Sequence, residues 1–327
     1  MTETRGGAFA YRLDGVGGGQ QVGGDGAAGI APGAPQDGLL WLQLDHQVPA
    51  ARQWLAEESG VAEVVAEALL ADETRPRSVP IGDGLLVILR GVNLNAGSEP
   101  EDMVSVRMWI EEQRIITLRH RPVRAIQEVR ESLEAGQGPA TAGDFLVEIS
   151  DRLLTLMAPV LGEIDDQVDA LEDEVLTVGS YELRGKIGSL RRDAIAMRRY
   201  LAPQRDAMAR LLTERVSWLG DLHRMQLREL ADRVTRYVED LDSARDRAAV
   251  TQDELNSRIA EQMNKTMYVL SIVAGIFLPL GLLTGLLGIN VGGIPGTENP
   301  VAFTIVCALL LAVAVIQVWI FRRFKWI

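Results

Sequence analysis

Cysteine and histidine are nearly missing from this sequence. Its 327 residues include one cysteine, Cys307, set inside an apolar run, which excludes both a disulfide framework and a thiolate cluster. The three histidines, His46, His120 and His223, lie far apart, with no pair at metal-ligand spacing. A hydrophobic start is missing too. The first residues are polar and Gly-rich, without the apolar stretch of a signal peptide, so membrane insertion falls to the C-terminal segments. Positive charge is in deficit: 33 Lys and Arg against 45 Asp and Glu give a net charge of -12. The negative excess precedes residue 265, which argues against nucleic acid as a partner and makes the soluble part repel phosphates and attract cations. No Gly-rich phosphate loop, Ser-His-Asp order or carboxylate pair marks a catalytic centre, so neither an enzyme nor a bound cofactor is expected.

What is present falls into blocks. Residues 1–38 hold twelve glycines; Phe9–Leu13 reads as an edge strand and Gly15–Gly38 as a flexible loop. Residues 39–142 read as a small α/β domain with a partly antiparallel sheet. Strands are expected at Leu39–Leu44, Leu85–Arg90, Val104–Ile110 and Arg114–Leu118, and short helices at Ala50–Glu58 and Val61–Leu70. Residues 143–267 read as long stalk helices, Asp144–Thr177, Tyr181–Leu212 and one starting at Asp221. In the last, Leu227, Leu230, Val234, Tyr237, Leu241, Ala244, Ala248, Thr251, Leu255 and Ile259 recur at near-heptad spacing, a seam for neighbouring helices. No Pro or Gly interrupts it from Asp221 through Tyr268, so it is expected to continue to Leu287, on the order of 100 Å. A helix that long needs company, most simply from copies of itself.

Two segments, 268–289 and 301–321, are free of Asp, Glu, Lys, Arg and His. Each is about 22 residues or roughly 33 Å as a helix, enough for a hydrocarbon core of ~30 Å. Arg258 and Lys265 precede the first, and Arg322, Arg323 and Lys325 follow the second, in a basic tail over 322–327. The connecting loop 290–300 has a single charge, Glu298. The positive-inside rule therefore places both ends in the cytoplasm, with Trp319 and Trp326 as interfacial anchors. Along the first span Asn264, Met267, Ser271, Ala274, Leu278, Gly281, Gly285 and Gly288 share one face. Gly281-Leu-Leu-Thr-Gly285 is a small-xxx-small pattern, which suits either a tight helix interface or a pore wall. Pro279 frees the Gly275 carbonyl for a bundle or water to satisfy.

The run Gly288-Ile289-Asn290, at the end of the first span, resembles the Gly-Met-Asn signature of CorA-type cation channels. The segment Asn264 to Asn290, with Phe277-Leu-Pro-Leu280, resembles that family's pore helix without gaps. Ile289 in place of methionine is similar to the ZntB-like, zinc-handling branch. So are Asp72-Glu-Thr-Arg-Pro-Arg77, Met197 to Asp206, and the terminal Lys325-Trp326-Ile327. The resemblance implies a homopentameric, CorA-like funnel: an α+β cytoplasmic domain, stalk helices and a two-helix transmembrane hairpin in the cytoplasmic (inner) membrane. It implies that Asn290 rings the outer entrance, supported by Gly288 and Ile289. Gly285, Gly281, Leu278 and Ala274 would line the pore, Leu270 and Met267 would constrict it, and Asn264 would form a polar ring below. Where Gly281 stands the family often has a hydroxyl, and Thr284, one turn away, is the alternative. Zn2+ is the implied cargo, with protons as a coupled ion.

Zinc usually takes Cys, His or carboxylate ligands, and the spans offer none that would chelate it. A mostly hydrated cation guided by amide and carbonyl oxygens fits better. Selection of Zn2+ over Mg2+ therefore rests on the resemblance. Any proton coupling would involve Glu298 or the cytoplasmic domain. Glu163, Asp165, Asp166, Asp169, Glu172, Asp173 and Glu174 form an acidic run that either attracts departing cations or is simply a solvated helix face. Two other readings stay open: a Mg2+/Co2+ channel of the same fold, and a membrane-anchored scaffold or metal sensor. The second needs neither the small-residue stripe nor an Asn-capped loop.

Overall fold

The computed structural model describes residues 8–22, 38–177, 181–288 and 300–324. Their seven strands are β1 (Phe9–Leu13), β2 (Gly19–Gln21), β3 (Leu40–Asp45), β4 (Arg77–Ile81), β5 (Gly84–Gly91), β6 (Val104–Ile110) and β7 (Arg114–Arg119). One mixed sheet orders them β2-β1-β3-β7-β6-β5-β4. Only the β3–β7 pair is parallel. β1 is a strand as expected, but β2 covers it, so it is interior and not an edge. The sequence Gly-Gln-Gln of β2 has no apolar alternation to betray it. β4 also escaped the pattern, because Pro80 interrupts it; at the sheet edge a missing N–H is tolerated.

Both faces of the sheet are covered, so β5 and β6 are buried nearly throughout. On one face α1 (Pro49–Gln53), a π turn over Trp54–Glu58 and α2 (Glu63–Leu70) pack Trp54, Leu55, Val65 and Leu69 against Leu42, Leu44, Ile88 and Ile116. On the other, Trp41 meets Phe145 edge-on at 4.9 Å between ring centroids. The indole N–H of Trp41 donates to Thr117 Oγ1 (2.9 Å), which donates in turn to Gln43 Oε1 (2.7 Å). The polar atoms of these three buried side chains are thereby satisfied in a place water does not reach.

Four longer helices follow α3 (Arg124–Glu134): α4 (Ala142–Thr177), α5 (Tyr181–Leu211), α6 (Asp221–Leu287) and α7 (Ala302–Arg323). Thr141 and Asp144 exchange hydrogen bonds at the start of α4, Thr141 N–H to Asp144 Oδ2 (3.0 Å) and Asp144 N–H to Thr141 Oγ1 (3.1 Å), a capping box. The 67-residue α6 is continuous, as its lack of early breakers requires. The chain divides into two units, one ending at Gln252 and one beginning at Asp253. In the first unit the heptad seam is filled by the same chain, which corrects the expectation that copies are needed to cover it. Leu227, Leu230, Val234, Leu241, Ala244, Ala248 and Thr251 are buried, Tyr237 donates to the Leu154 carbonyl of α4 (3.2 Å), and Arg233 pairs with Asp151 (2.7 Å).

The second unit holds the rest of α6 and α7. Both helices are long and apolar enough to cross a membrane. None of the α7 residues is buried, and large side chains such as Leu278, Phe303 and Leu311 stand out with 71%, 80% and 68% of their surface free. Contiguous apolar surface on that scale belongs in lipid or against other helices.

Candidate functional site

The half-buried positions of the first span are the key to its geometry. Ile272, Gly275, Ile276, Leu280 and Leu283 recur at helical spacing, and the ring of Phe321 on α7 lies where a Gly275 side chain would begin, 3.0 Å from an ideal Cβ. Gly275 is also the residue whose carbonyl Pro279 leaves without its helical donor, so the absence of a side chain and the missing hydrogen bond coincide where the two helices meet. At 3.6 residues per turn the stripe of Asn264, Met267, Ser271, Leu278, Gly281 and Gly285 falls on the opposite side of α6. Those six are exposed, Met267 and Leu278 by 62% and 71%. Leu270 is exposed at the margin of this face, and Ala274 is half-buried within it. Around Gly281 and Gly285 nothing lies within 4 Å of an added Cβ.

The hydroxyls on this face are already engaged. Ser271 Oγ donates to the Met267 carbonyl (2.8 Å), and Thr284 Oγ1 lies 3.0 Å from the Leu280 carbonyl and 3.1 Å from that of Gly281. Thr284, on the flank of the stripe, therefore spends its proton on its own helix, leaving oxygen lone pairs as what it offers outward. Gly288 closes the described part of the helix, its N–H donating to Thr284 O (2.9 Å). Ile289, Asn290 and Glu298 lie outside the described residues.

The acidic run of α4 is not assembled into a cation site. Arg247 of α6 takes three of its members, Asp165 (2.9 Å), Asp169 and Glu172 (2.6 Å). Lys186 takes Glu174 (3.5 Å), and Gln167 donates to Glu163 (3.2 Å), while Asp166 and Asp173 are solvated. No group of three or more His, Cys, Asp or Glu among the described residues is placed to hold a metal. Hydrogen bonding to Glu172 and Asp169 raises the Arg247 pKa further, so the guanidinium keeps its charge and the carboxylates keep their partner. The solvated-face account of this cluster is the one the geometry favours.

One pairing could not be read from spacing. His46 and His120 stack with ring centroids 3.7 Å apart, because β3 and β7 are parallel neighbours and both histidines follow them directly. A sequence signal existed: each strand ends in a charged residue followed by histidine, Asp45-His46 and Arg119-His120.

The sequence profile of the CorA-like Mg2+ transporter protein family matches residues 36–323. The chain belongs to that family. Among curated relatives, the divalent cation transporter CmaX of Pseudomonas aeruginosa is 43% identical over 331 residues, covering 99% of this chain and 98% of CmaX. The zinc transport protein ZntB of Yersinia pseudotuberculosis serotype O:1b is 36% identical, covering 98% and 95%. The solved structure of a full-length CmaX protein superposes with a TM-score of 0.84 at 41% identity, over 99% of this chain and 100% of that one. This CorA-type protein is thus a membrane transporter of divalent cations and not an enzyme. Its α/β soluble part, long helix and two apolar C-terminal helices are the CorA-like arrangement.

Proposed function

We propose that this protein carries Zn2+ across the cytoplasmic membrane through a pore formed by the first spans of a homopentamer, with both termini in the cytoplasm. One observation supports the pore reading most directly: the small and weakly polar stripe of α6 lies opposite the face that meets α7, with open space around Gly281 and Gly285. A face of that kind in a membrane helix is satisfied by other copies or by water. In this reading Asn264, Met267, Leu270, Ala274, Leu278, Gly281, Thr284 and Gly285 line the path, and Gly288, Ile289 and Asn290 form its outer mouth beside Glu298. The ion stays largely hydrated, since the lining is carbonyl, amide and aliphatic. Uptake of a divalent ion through ~100 mV, inside negative, is worth about 4.6 kcal/mol, enough without a second ion.

The ZntB relative supports zinc as cargo, whereas the family description names Mg2+ and the CmaX relative is named for divalent cations in general. Purified protein in liposomes, assayed with Zn2+, Co2+ and Mg2+ dyes, separates these. The zinc reading expects Zn2+ flux well above Mg2+ flux at equal concentration, and the reverse order would replace it with the magnesium reading. Asn290→Ala should sharply reduce flux with assembly intact; normal flux in Asn290→Ser would remove Asn290 from the pore mouth and leave it as a helix cap.

A further inference from the structure

The two sequence stretches that transport leaves unused, 72–77 and 197–206, meet at one cavity of about 570 Å3 in the soluble unit. Five arginines line it, Arg75, Arg90, Arg107, Arg121 and Arg199, together with His120. Arg90 ties the two stretches together. Its guanidinium donates to the carbonyls of Thr74 (2.7 Å) and Met103 (2.7 Å), its backbone N–H donates to Gln204 Oε1 (2.6 Å), and its Cζ lies 4.4 Å from the Tyr200 ring centroid. Arg107, only 1% exposed, donates to the carbonyls of Leu69 (2.7 Å), Ala71 (2.5 Å) and Asp72 (3.2 Å).

These acceptors are neutral, so the charges they hold are not cancelled. Elsewhere in the chain arginines find carboxylates, as Arg247 and Arg152 do. None of the five cavity arginines has a carboxylate oxygen within 4.0 Å. Asp72, Glu73, Glu101 and Asp102 also line the cavity, but three of them are exposed and Glu101 is half-exposed, so water screens them. Of the arginines, Arg107 is buried and Arg90 half-buried, so these two are screened far less than the exposed Arg75, Arg121 and Arg199 or the carboxylates. Burial and then the neighbouring Arg90 hold the Arg107 pKa down to about 10, a lowering that Asp72 only partly offsets. Two polar atoms here, Arg90 Nε and His120 Nε2, are shut away without a hydrogen-bond partner.

We propose that this cavity is a binding site for a polyphosphate-bearing small molecule of the nucleoside di- or triphosphate class. Guanidinium forks match phosphate oxygens two at a time, and several arginines converging on one space suit more than one phosphate. The volume is that of a small-molecule site and too large for a single phosphate ion. The net charge of -12 predicts that the soluble part repels phosphates; the cavity is a local exception that an average over the chain conceals. The site makes no use of the pore, so it is independent of the transport reading.

The test is calorimetric titration of the full-length protein in lipid nanodiscs with ATP and, separately, inorganic pyrophosphate. Saturable binding of ATP that pyrophosphate displaces is expected, weakening as salt rises. Because Arg107 and Arg90 hold backbone in place, the diagnostic variants are the exposed Arg121→Ala and Arg199→Ala. Each should weaken binding by about tenfold, the scale of a lost charge-assisted hydrogen bond, with unliganded melting temperature and oligomer size unchanged. No heat with either ligand overturns the proposal. ATP binding that pyrophosphate cannot displace, or that both variants leave intact, overturns it equally.

Discussion

Arg107 shows what one residue does in the sheet domain. An arginine in the middle of β6 looks like a solvent-facing alternation, yet it is among the largest fully buried side chains of the chain. Its fork satisfies carbonyls at and just beyond the C-terminal end of α2, where the chain leaves the helix and heads for β4. Arg107→Met keeps the volume and removes those donors. It is expected to lower stability by about 2–4 kcal/mol, measured as a fall in melting temperature, and a change within ~0.5 kcal/mol would show that water replaces the guanidinium freely. His120 carries a pH prediction. Burial, then Arg107 and His46, lower its pKa from 6.5 to about 4. The folded chain therefore holds this imidazole neutral while the unfolded chain protonates it below pH 6.5, so acidification from 6.5 towards 4 favours unfolding. His120→Gln, neutral throughout, should move the acid-unfolding midpoint to lower pH; an unchanged midpoint would mean that the carboxylates alone set it.

At the scale of elements, the sequence was legible wherever one property controlled the outcome. Apolar or alternating runs marked β5, β6 and β7, and an unbroken helical stretch marked α6 to within a residue of its end. Elements governed by neighbours were not legible. β2 exists because β1 offers it an edge, and β4 because an edge forgives Pro80. The heptad seam of α6 was correctly seen as a packing face, but sequence cannot say whether its partner is the same chain, and α4 turned out to fill part of it. The acidic run could be read as a solvated face, but Arg247, distant in sequence, was invisible as its counter-ion. The shared face of the α6 stripe needed only helical periodicity to be seen, while what engages Ser271 and Thr284 needed coordinates. Contact between the spans gives an element-level prediction. Gly275→Leu places atoms where Phe321 sits, so it should separate α6 from α7 and lower the yield of inserted, folded protein. Restoring space with Phe321→Ala should recover much of that yield, and failure of the pair to recover would mean that Gly275 matters for some reason other than this contact.

For the whole molecule, the question is what covers the stripe of α6. Within one chain, a side chain at Gly281 or Gly285 starts into open space, because nothing beyond the local helix backbone lies within 4 Å of its first carbon. Hairpin insertion and the fold of the soluble unit should therefore be indifferent to Gly285→Leu, in contrast to Gly275→Leu. If five copies place that face around a common axis, the same substitution adds five isobutyl groups to a narrow passage. The expected result is normal expression, normal melting of the soluble unit and a loss of divalent flux of at least about tenfold, on the scale of a hydrophobic constriction that sheds water. Gly285→Ala, adding one methyl group per copy, should fall between. Oligomer size by native mass spectrometry decides how the loss arises: an intact pentamer with no flux assigns Gly285 to the path, and a dissociated one assigns it to the interface between copies. Wild-type flux from Gly285→Leu in an intact oligomer would remove the stripe from the path altogether, and lipid would then be what covers it.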